Sequence, residues 1–491
     1  MAELRPVFLV VGIFLTALGV VMTVPMLADL GSEAQGASAD RKAFGLSAMI
    51  SVATGVAMAS ACWGRIEALT TRQGFLITTL SWVALVTAAS LPFAFGPLRL
   101  GLTDSFFEAM SGLTTTGATV VLGLDDAPRG FLLWRSILQW IGGIGVIIMA
   151  IAVLPFLSVG GMQLFRMESS DKSDKILPGA SQLASAIFAL YLGLTGLCFT
   201  AYWGMGMSAF DAVNHAMTTI ATGGYSTHDA SFGYFLSAGH VRGPVDLVAT
   251  LFMILGSLPF GAYVLMFRGR VSAPIGDSQV RFFLAVAIVF TGVIAARIMT
   301  IFDYSIFDGF RLSVFNVVSI MTGTGYASTD YGLWGPFAIG FFFCIMFVGG
   351  CAGSTSCGLK IFRLQVALAA LAIYARRLAH PHRVTIARYN GRPLNEDVVV
   401  SVLSFFFIYF ATFATVAVLL SLFQLDAVTA LSAAGSAVAN VGPGLGDIVG
   451  PAGNYGPLPA GAKWLLSIAM LMGRLELLTV LVLFVPSFWR R

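Results

Sequence analysis

Long apolar stretches alternate with short polar ones along almost the whole chain. Runs long enough to cross a bilayer fall at about 7–29, 43–63, 74–96, 131–155, 182–204, 244–267, 281–302, 334–372, 397–423 and 463–486, which predicts ten spans. Between spans three and four, five and six, seven and eight, and nine and ten lies a helical apolar pattern of about three turns, too short to cross and therefore re-entrant. Each of these is followed by a glycine-bearing segment. The four read Thr115-Thr116-Gly117-Ala118-Thr119, Ala221-Thr222-Gly223-Gly224-Tyr225, Gly323-Thr324-Gly325-Tyr326-Ala327 and Asn440-Val441-Gly442-Pro443-Gly444. Taking Gly117, Gly223, Gly325 and Gly442 as their shared centres, the steps are 106, 102 and 117 residues.

This is an internal repeat, and it predicts the fold. Helix, pore helix, glycine loop and helix recur four times, so the expected class is an all-α polytopic membrane protein with four pseudo-repeats around one central pore. Two further transmembrane helices stand before the repeats. The units are an N-terminal helix pair at 1–70 and repeats at 71–178, 179–276, 277–392 and 393–491. Nine residues before each chosen glycine stand Glu108, Asn214, Asn316 and Ala433, where an acid or amide can tie a pore helix to its neighbours or simply face a helix surface.

Composition excludes most alternatives. Of 491 residues 57% are hydrophobic and only 11% charged, too little charge for a soluble domain of this length. The net charge of +4 is small and dispersed, which gives no footprint for nucleic acid. The five cysteines lie in or beside apolar stretches, and neither a zinc site nor a disulfide framework is supported. The run from Val7 to Leu27 is too long for a signal peptide's apolar region and reads as a retained helix. Lysine and arginine fix the expected orientation. With the N-terminus inside, 18 of the 28 fall at cytoplasmic ends and 8 outside, placing both termini in the cytoplasm and the four loops on the outer side.

The chemistry follows from the loops. A cation shedding water needs replacement oxygens, and backbone carbonyls supply them where glycine lets successive carbonyls point one way. The candidate filter residues are Thr115, Thr116 and Gly117; Ala221, Thr222 and Gly223; Gly323, Thr324 and Gly325; and Asn440, Val441 and Gly442, with threonine hydroxyls adding oxygens at the inner end. Glycine and threonine are also the small residues that membrane helices favour at contacts, but four segments in register outweigh that reading. The pore helices aim their negative C-terminal ends at the bilayer centre, which favours a cation.

Two features lie below the loops. Span eight is interrupted by Gly349-Gly350-Cys351-Ala352-Gly353-Ser354-Thr355-Ser356-Cys357-Gly358 and then Lys360, a run that cannot face lipid and suits a gate. A plain helix-ending loop at the cytoplasmic face is the blander reading. Arg474, within Met472-Gly473-Arg474-Leu475-Glu476 of the last span, is either an electrostatic barrier in the pathway or half of a structural ion pair, with Glu476 on a different helix face. Trp134-Arg135-Ser136 and Gln139-Trp140 read first as an interfacial belt and second as a functional site. His215, His228, His240, His380 and His382 show no metal-ligand spacing. The basic run from Arg376 to Arg392 reads as positive-inside anchoring or as a docking face. No phosphate-binding loop, catalytic triad or acidic pair is present, so an enzyme is not expected.

Four stretches carry a family resemblance: Phe107 to Thr119, Gln139 to Gly145, Gly160-Gly161-Met162-Gln163-Leu164-Phe165-Arg166, and Asn440 to Gly446. With the Gly349–Lys360 loop and Gly473-Arg474-Leu475-Glu476, they make the whole chain resemble the TrkH/KtrB (Trk/Ktr/HKT) superfamily of potassium transporters, with bacterial TrkH nearest. The resemblance implies potassium uptake across the bacterial inner membrane through a K+-selective pore. It implies a homodimer with one pore per subunit, and a TrkA-type cytoplasmic subunit that binds NAD(H) or ATP/ADP, with no cofactor in this chain. Residues Gly349, Gly350, Gly353, Ser354, Thr355, Ser356, Gly358 and Lys360 match the family's intramembrane gating loop, and Arg474 its pore-constricting arginine. All four central positions are glycine, where relatives with serine at the first are associated with greater sodium permeation. A sodium-coupled or weakly selective monovalent cation transporter on the same scaffold is the alternative.

Overall fold

The computed structural model describes residues 4–30, 36–64, 69–152, 180–237, 241–380, 388–390 and 392–489. The Gly160–Arg166 stretch, His240 and His382 lie outside them. The described chain is helical, apart from one antiparallel pairing of two-residue strands, Arg388–Tyr389 with Arg392–Pro393.

The first helices are α1 (Arg5–Val21) with its continuation α2 (Thr23–Ala28), α3 (Ala37–Ala61) and α4 (Thr71–Phe95). Helices α1 and α3 pack so closely that a Cβ on Gly55 would run into the α1 backbone, so glycine sets the approach. Helix α4 begins with a capping box between Thr70 and Gln73. Four short helices then recur: α5 (Leu102–Leu113), α8 (Ala209–Ile220), α12 (Ile306–Met321) and α16 (Ala427–Ala439). At 12 to 16 residues none is long enough to cross a bilayer. Ser208, Ser305 and Asp426 cap the N-termini of α8, α12 and α16 through their side chains.

Between them run α6 (Arg129–Ala152), α7 (Ala180–Gly204), α9 (Val245–Ser257) with α10 (Phe260–Phe267), α11 (Ser278–Phe302), α13 (Pro336–Ile345), α14 (Ile361–Ala379), α15 (Glu396–Ser421), and α17 (Ala460–Arg474) with α18 (Leu478–Leu481). Large apolar side chains such as Phe14, Val56, Leu197, Ile288, Val289, Phe407 and Val418 are exposed on the long helices, as lipid contact requires.

Of the ten expected spans, the eighth is interrupted as expected and two more are broken. Among the described residues seven helices are long and apolar enough to cross, and two further spans are broken. The span at 244–267 bends by 89° between α9 and α10, where Pro259 follows Leu258. The last bends by 107° after Arg474, where Glu476 and Leu477 take positive φ. The run at 334–372 is two helices, α13 and α14, separated by the glycine-serine segment. Apolar composition measures membrane depth, not backbone continuity. Where glycine or proline interrupts such a run, the polar backbone finds partners inside the protein.

Candidate ion-conduction site

All four pore helices end the same way. Thr115, Thr222, Gly323 and Asn440 occupy the left-handed region, with φ of 53°, 50°, 74° and 53°. Their amides bond the carbonyls of Gly112, Thr219, Ile320 and Ala437, at 3.0, 3.0, 3.0 and 3.4 Å. The next amides, of Thr116, Gly223, Thr324 and Val441, reach back to Ser111, Thr218, Ser319 and Ser436 at 2.9 to 3.0 Å. This is the Schellman helix end, four times over. Two of its left-handed positions carry threonine, a β-branched residue that is strained there by about 1–3 kcal/mol.

After one more residue the chain turns left-handed again, at Gly117, Gly224, Gly325 and Gly442. The second repeat is therefore centred on Gly224, one residue beyond the Gly223 taken from sequence. Ala221 closes the helix, and Thr222, Gly223 and Gly224 stand where Thr115, Thr116 and Gly117 stand in the first repeat. Adjacent glycines made the register ambiguous, and the helix-end hydrogen bonds resolve it. A Cβ on Gly117 would meet the carbonyl oxygen of Gly223, one on Gly224 that of Thr324, one on Gly325 that of Val441, and one on Gly442 that of Thr116. The four loops thus close a ring, in chain order, with every contact between neighbouring repeats. The filter candidates come together, with Gly224 added.

The corrected register also aligns the polar residue behind each loop. Nine residues before the new centre stand Glu108, His215 and Asn316. Glu108 accepts from Thr119 Oγ1 (3.0 Å) and Val120 N (3.0 Å), His215 Nε2 meets Ser226 Oγ (3.0 Å), and Asn316 Nδ2 donates to Ser328 Oγ (2.7 Å). Each ties a pore helix to the chain leaving its own loop. Among the described residues the Asn214 side chain bonds its own helix, at Phe210 O (2.7 Å), and in the fourth repeat the tie comes from Ser432, beside Ala433, whose Oγ accepts from Leu445 N at 2.9 Å.

Arg135 and Gln139 are not an interfacial belt. They are 1% and 0% exposed, on the face of α6 that backs the ring. Arg135 Nε pairs with Glu108 at 2.8 Å, its Nη1 donates to Ser226 O at 2.8 Å, and its guanidinium lies over the Tyr225 ring at 4.0 Å. Gln139 Nε2 donates to the Gly223 carbonyl at 2.6 Å, while its Oε1 accepts from Tyr225 N at 3.0 Å. Hydropathy does not distinguish an arginine near a helix start from one buried against a neighbour. The available signal was an acid, Glu108, on the preceding pore helix.

Tyrosines complete the brace. Tyr225 OH donates to Glu108 O (2.9 Å) in the first repeat, and Tyr326 OH meets Thr218 Oγ1 (2.5 Å) in the second. Tyr455 OH donates to Gly442 O at 2.9 Å and its amide to Thr119 O at 2.8 Å, joining the fourth repeat to the first.

Beneath the ring lies the segment Gly349–Gly358, entirely buried except at its last residue. It is pinned at its ends, by Gly349 N to Leu359 O (2.9 Å) and Gly350 N to Ser356 Oγ (2.9 Å). Its centre is pinned to the bend between α9 and α10, by Cys351 N to Ser257 O (3.0 Å), Phe260 N to Gly353 O (2.9 Å) and Thr355 N to Gly256 O (3.2 Å). Ser354 Oγ turns inward to Cys351 O at 2.7 Å. Upward contacts reach the loop bottoms. Thr355 Oγ1 donates to Ile220 O (2.9 Å), Ser356 Oγ to Thr322 O (2.6 Å), and Cys357 Sγ lies 3.6 Å from Thr115 Oγ1.

Arg474 meets this segment from below, being 3% exposed. Its Nη1 donates to Thr355 O at 3.3 Å and contacts Cys357 Sγ; its Nη2 donates to Gly142 O at 2.8 Å. Lys360 Nζ donates to Ser356 O. Glu476 is not the partner of Arg474. It pairs with Arg363 at 2.5 Å, and Arg363, one of the 18 basic residues counted at cytoplasmic ends, is fully buried. Among the described residues no group of three or more His, Cys, Asp or Glu side chains could hold a metal ion.

Four Schellman ends thus close one ring of backbone carbonyls over a glycine-serine segment, an arrangement whose oxygens can replace the hydration shell of a cation. The family described as TrkH, cation transport protein, matches residues 41–491. The chain belongs to the TrkH family. It is similar to the Trk system potassium uptake protein TrkI of Halomonas elongata, 46% identical over 99% of this chain and 97% of that one. The Trk system potassium uptake protein TrkH of Escherichia coli is 36% identical over 86% of this chain and 87% of that one. The crystal structure of the potassium transporter TrkH from Vibrio parahaemolyticus matches with a TM-score of 0.90 at 33% identity, covering 99% of this chain and all of that one. Membership makes this TrkH-family chain a multi-pass membrane transport protein rather than an enzyme.

Proposed function

We propose that the chain takes up potassium through the ring of carbonyls at Thr115–Gly117, Thr222–Gly224, Gly323–Gly325 and Asn440–Gly442. The observation that supports this reading is the ring's closure: four positive-φ glycines each lie against a carbonyl of the neighbouring repeat, a setting in which backbone oxygens can coordinate a cation. The potassium uptake named for its relatives supports the choice of ion.

The same reading makes Gly349–Gly358 with Lys360 and Arg474 the gate. Its support is position: the segment bonds the undersides of three repeats, and a buried guanidinium touches it. Opening requires this segment and Arg474 to withdraw together. Both termini then lie in the cytoplasm of a cell with the chain in its inner membrane, as the lysine and arginine distribution supports. A homodimer, and a TrkA-type subunit binding NAD(H) or ATP/ADP that acts on the gate from the cytoplasmic side, complete the proposal.

Cation flux in liposomes containing the purified chain tests it. Rb+ and K+ are expected to pass in preference to Na+ and Li+. Equal passage of all four overturns selectivity and moves the function to a weakly selective pathway on the same scaffold.

A further inference from the structure

The four seams of the ring are not equally tied. All share the contact of a positive-φ glycine with a neighbouring repeat's carbonyl. Between the first and second repeats, Tyr225 OH adds a bond to Glu108 O at 2.9 Å. Between the second and third, Tyr326 OH meets Thr218 Oγ1 at 2.5 Å, and Gly233 N donates to Ala327 O at 3.2 Å. Between the fourth and first, Asn440 Nδ2 donates to Thr116 Oγ1 at 2.8 Å, and Tyr455 N to Thr119 O at 2.8 Å. Between the third and fourth, among the described residues, no hydrogen bond crosses at the level of the loops.

A proline accounts for the difference. The residue after the turning glycine is Tyr225 in the second repeat, Tyr326 in the third and Pro443 in the fourth. Each tyrosine reaches back to the preceding repeat's pore helix, whereas proline has neither a hydroxyl nor an amide proton to donate. Its ring instead stands beside Gly325, where Pro443 Cδ and Val441 O fill the space that a Cβ would take. The remainder of this seam is non-directional. Phe347 packs on Phe413 with ring centroids 5.2 Å apart. Beyond the loops the two chains flank a cavity of about 220 Å³, whose charged lining among the described residues is two acids, Asp330 and Asp447. Like charges do not draw its walls together. Below the loops the same repeats are joined, by Arg363 to Glu476 and by Arg474 to Thr355 O, so the seam can part only at the loops.

A ring fastened at three seams adjusts at the fourth, where the fewest bonds resist. We infer that the seam between the third and fourth repeats sets how closely the ring fits a cation, with Pro443 the positioning residue that holds it through Gly325. The inference rests on the reading of the ring as a potassium site. With K+ bound, carbonyls on both sides of the seam share one ion and the loops stay together. The smaller Na+ does not span the ring, and the third and fourth loops part.

Hydrogen exchange on the full chain in detergent, in KCl and then in NaCl, tests the seam. Exchange is expected to rise in NaCl in peptides carrying Gly323–Ala327 and Asn440–Leu445, and to stay unchanged in those carrying Thr115–Thr119 and Thr222–Ser226. Binding of radioactive Rb+ to the same preparation, competed with K+ or Na+, gives the second readout without requiring an open gate. In Pro443→Ala the preference for K+ over Na+ should fall about fivefold, the size of one neutral hydrogen bond, at an unchanged unfolding temperature. Tyr326→Phe should lower it less, because Gly233 N still ties that seam. A rise in exchange shared equally by all four loops, or confined to another seam, overturns the inference and leaves the potassium reading standing. So does a Pro443→Ala chain that folds and keeps its full preference. Unchanged exchange in every loop, with Na+ displacing Rb+ as well as K+ does, overturns both. If Pro443→Ala does not fold, the exchange pattern of the unaltered chain decides.

Discussion

The ring of glycine loops and the segment beneath it are both irregular backbone at membrane depth, yet they are held in opposite ways. The ring is built by four copies of one local motif, the Schellman end, and closed by contacts between like positions. The segment occurs once. It is held by contacts that differ at every residue: a serine on one repeat, a threonine on another, an arginine from the last span. Local, repeated geometry suits a part that must keep a fixed spacing for an ion. Single-copy contacts, of which a few neutral hydrogen bonds contribute about 1 kcal/mol each, suit a part that moves.

Breaking what braces the ring should have the largest effect. Removing Arg135 leaves Glu108 buried and uncompensated, and losing one partner of such a pair costs about 3–5 kcal/mol. Arg135→Ala is expected to lower the unfolding temperature sharply, or to abolish folded protein, while Glu108→Gln with Arg135→Met recovers part of the loss. Equal behaviour of single and double variants would mean that the brace lies elsewhere.

The ring itself comes next. Gly224→Ala places a Cβ against the Thr324 backbone carbonyl at φ 78°, with no flexible neighbour to yield, whereas a Cβ on Gly223 meets the Gln139 side chain. Strain of about 1–3 kcal/mol at the first site should cut Rb+ flux and the preference for K+ over Na+. Gly223→Ala should do less to both. The reverse order would restore the register read from sequence. Gly117→Ser, against the Gly223 carbonyl, should resemble Gly224→Ala.

Below the ring the sign changes. Arg474→Ala removes the donor to Thr355 O and Gly142 O, and should raise Rb+ flux while the K+ to Na+ ratio holds. A changed ratio at unchanged flux would assign Arg474 to the ring's support and not to the gate.

What the sequence revealed follows the same division. The repeat was legible because its signal is local and fourfold: an apolar helix too short to cross, then glycine. The Gly349–Gly358 break was legible because glycine and serine at membrane depth need protein partners. The second repeat's register was not, since Gly223 and Gly224 are adjacent and only backbone geometry separates them, in the helix-end bonds of Thr222 and Gly223 and the positive φ of Gly224. The roles of Arg135, Gln139 and Arg363 were hidden for another reason. Their partners lie 27, 84 and 113 residues away, at Glu108, Gly223 and Glu476, and a charge count treats a buried arginine like an exposed one.

The smallest effect belongs to the mouth of the ring, on the side away from the Gly349–Gly358 segment, where a single-copy contact joins two copies of the motif. His228 follows the second loop. Its Nδ1 meets Asp125 Oδ1, beyond the first loop, at 2.5 Å, and its Nε2 lies 3.5 Å from Asp211 Oδ1 at the head of α8. Partial burial opposes the charged ring, but the hydrogen bonds and charges of Asp211 and Asp125 outweigh it and raise the His228 pKa above its ordinary value. The sign follows. A group whose folded pKa is raised stabilises fully below the unfolded value, near 6.5, and that contribution disappears as pH rises through the folded one. With Asp125 half exposed, the effect is at most about 1 kcal/mol. Amide exchange at Gly123 and Leu124, which donate to the neighbouring Asp229 carboxylate, should therefore lose protection with rising pH beyond the intrinsic acceleration of exchange. In His228→Gln that excess should vanish. If it persists, the latch lies in the Asp229 carboxylate alone and His228 has no part in holding the mouth.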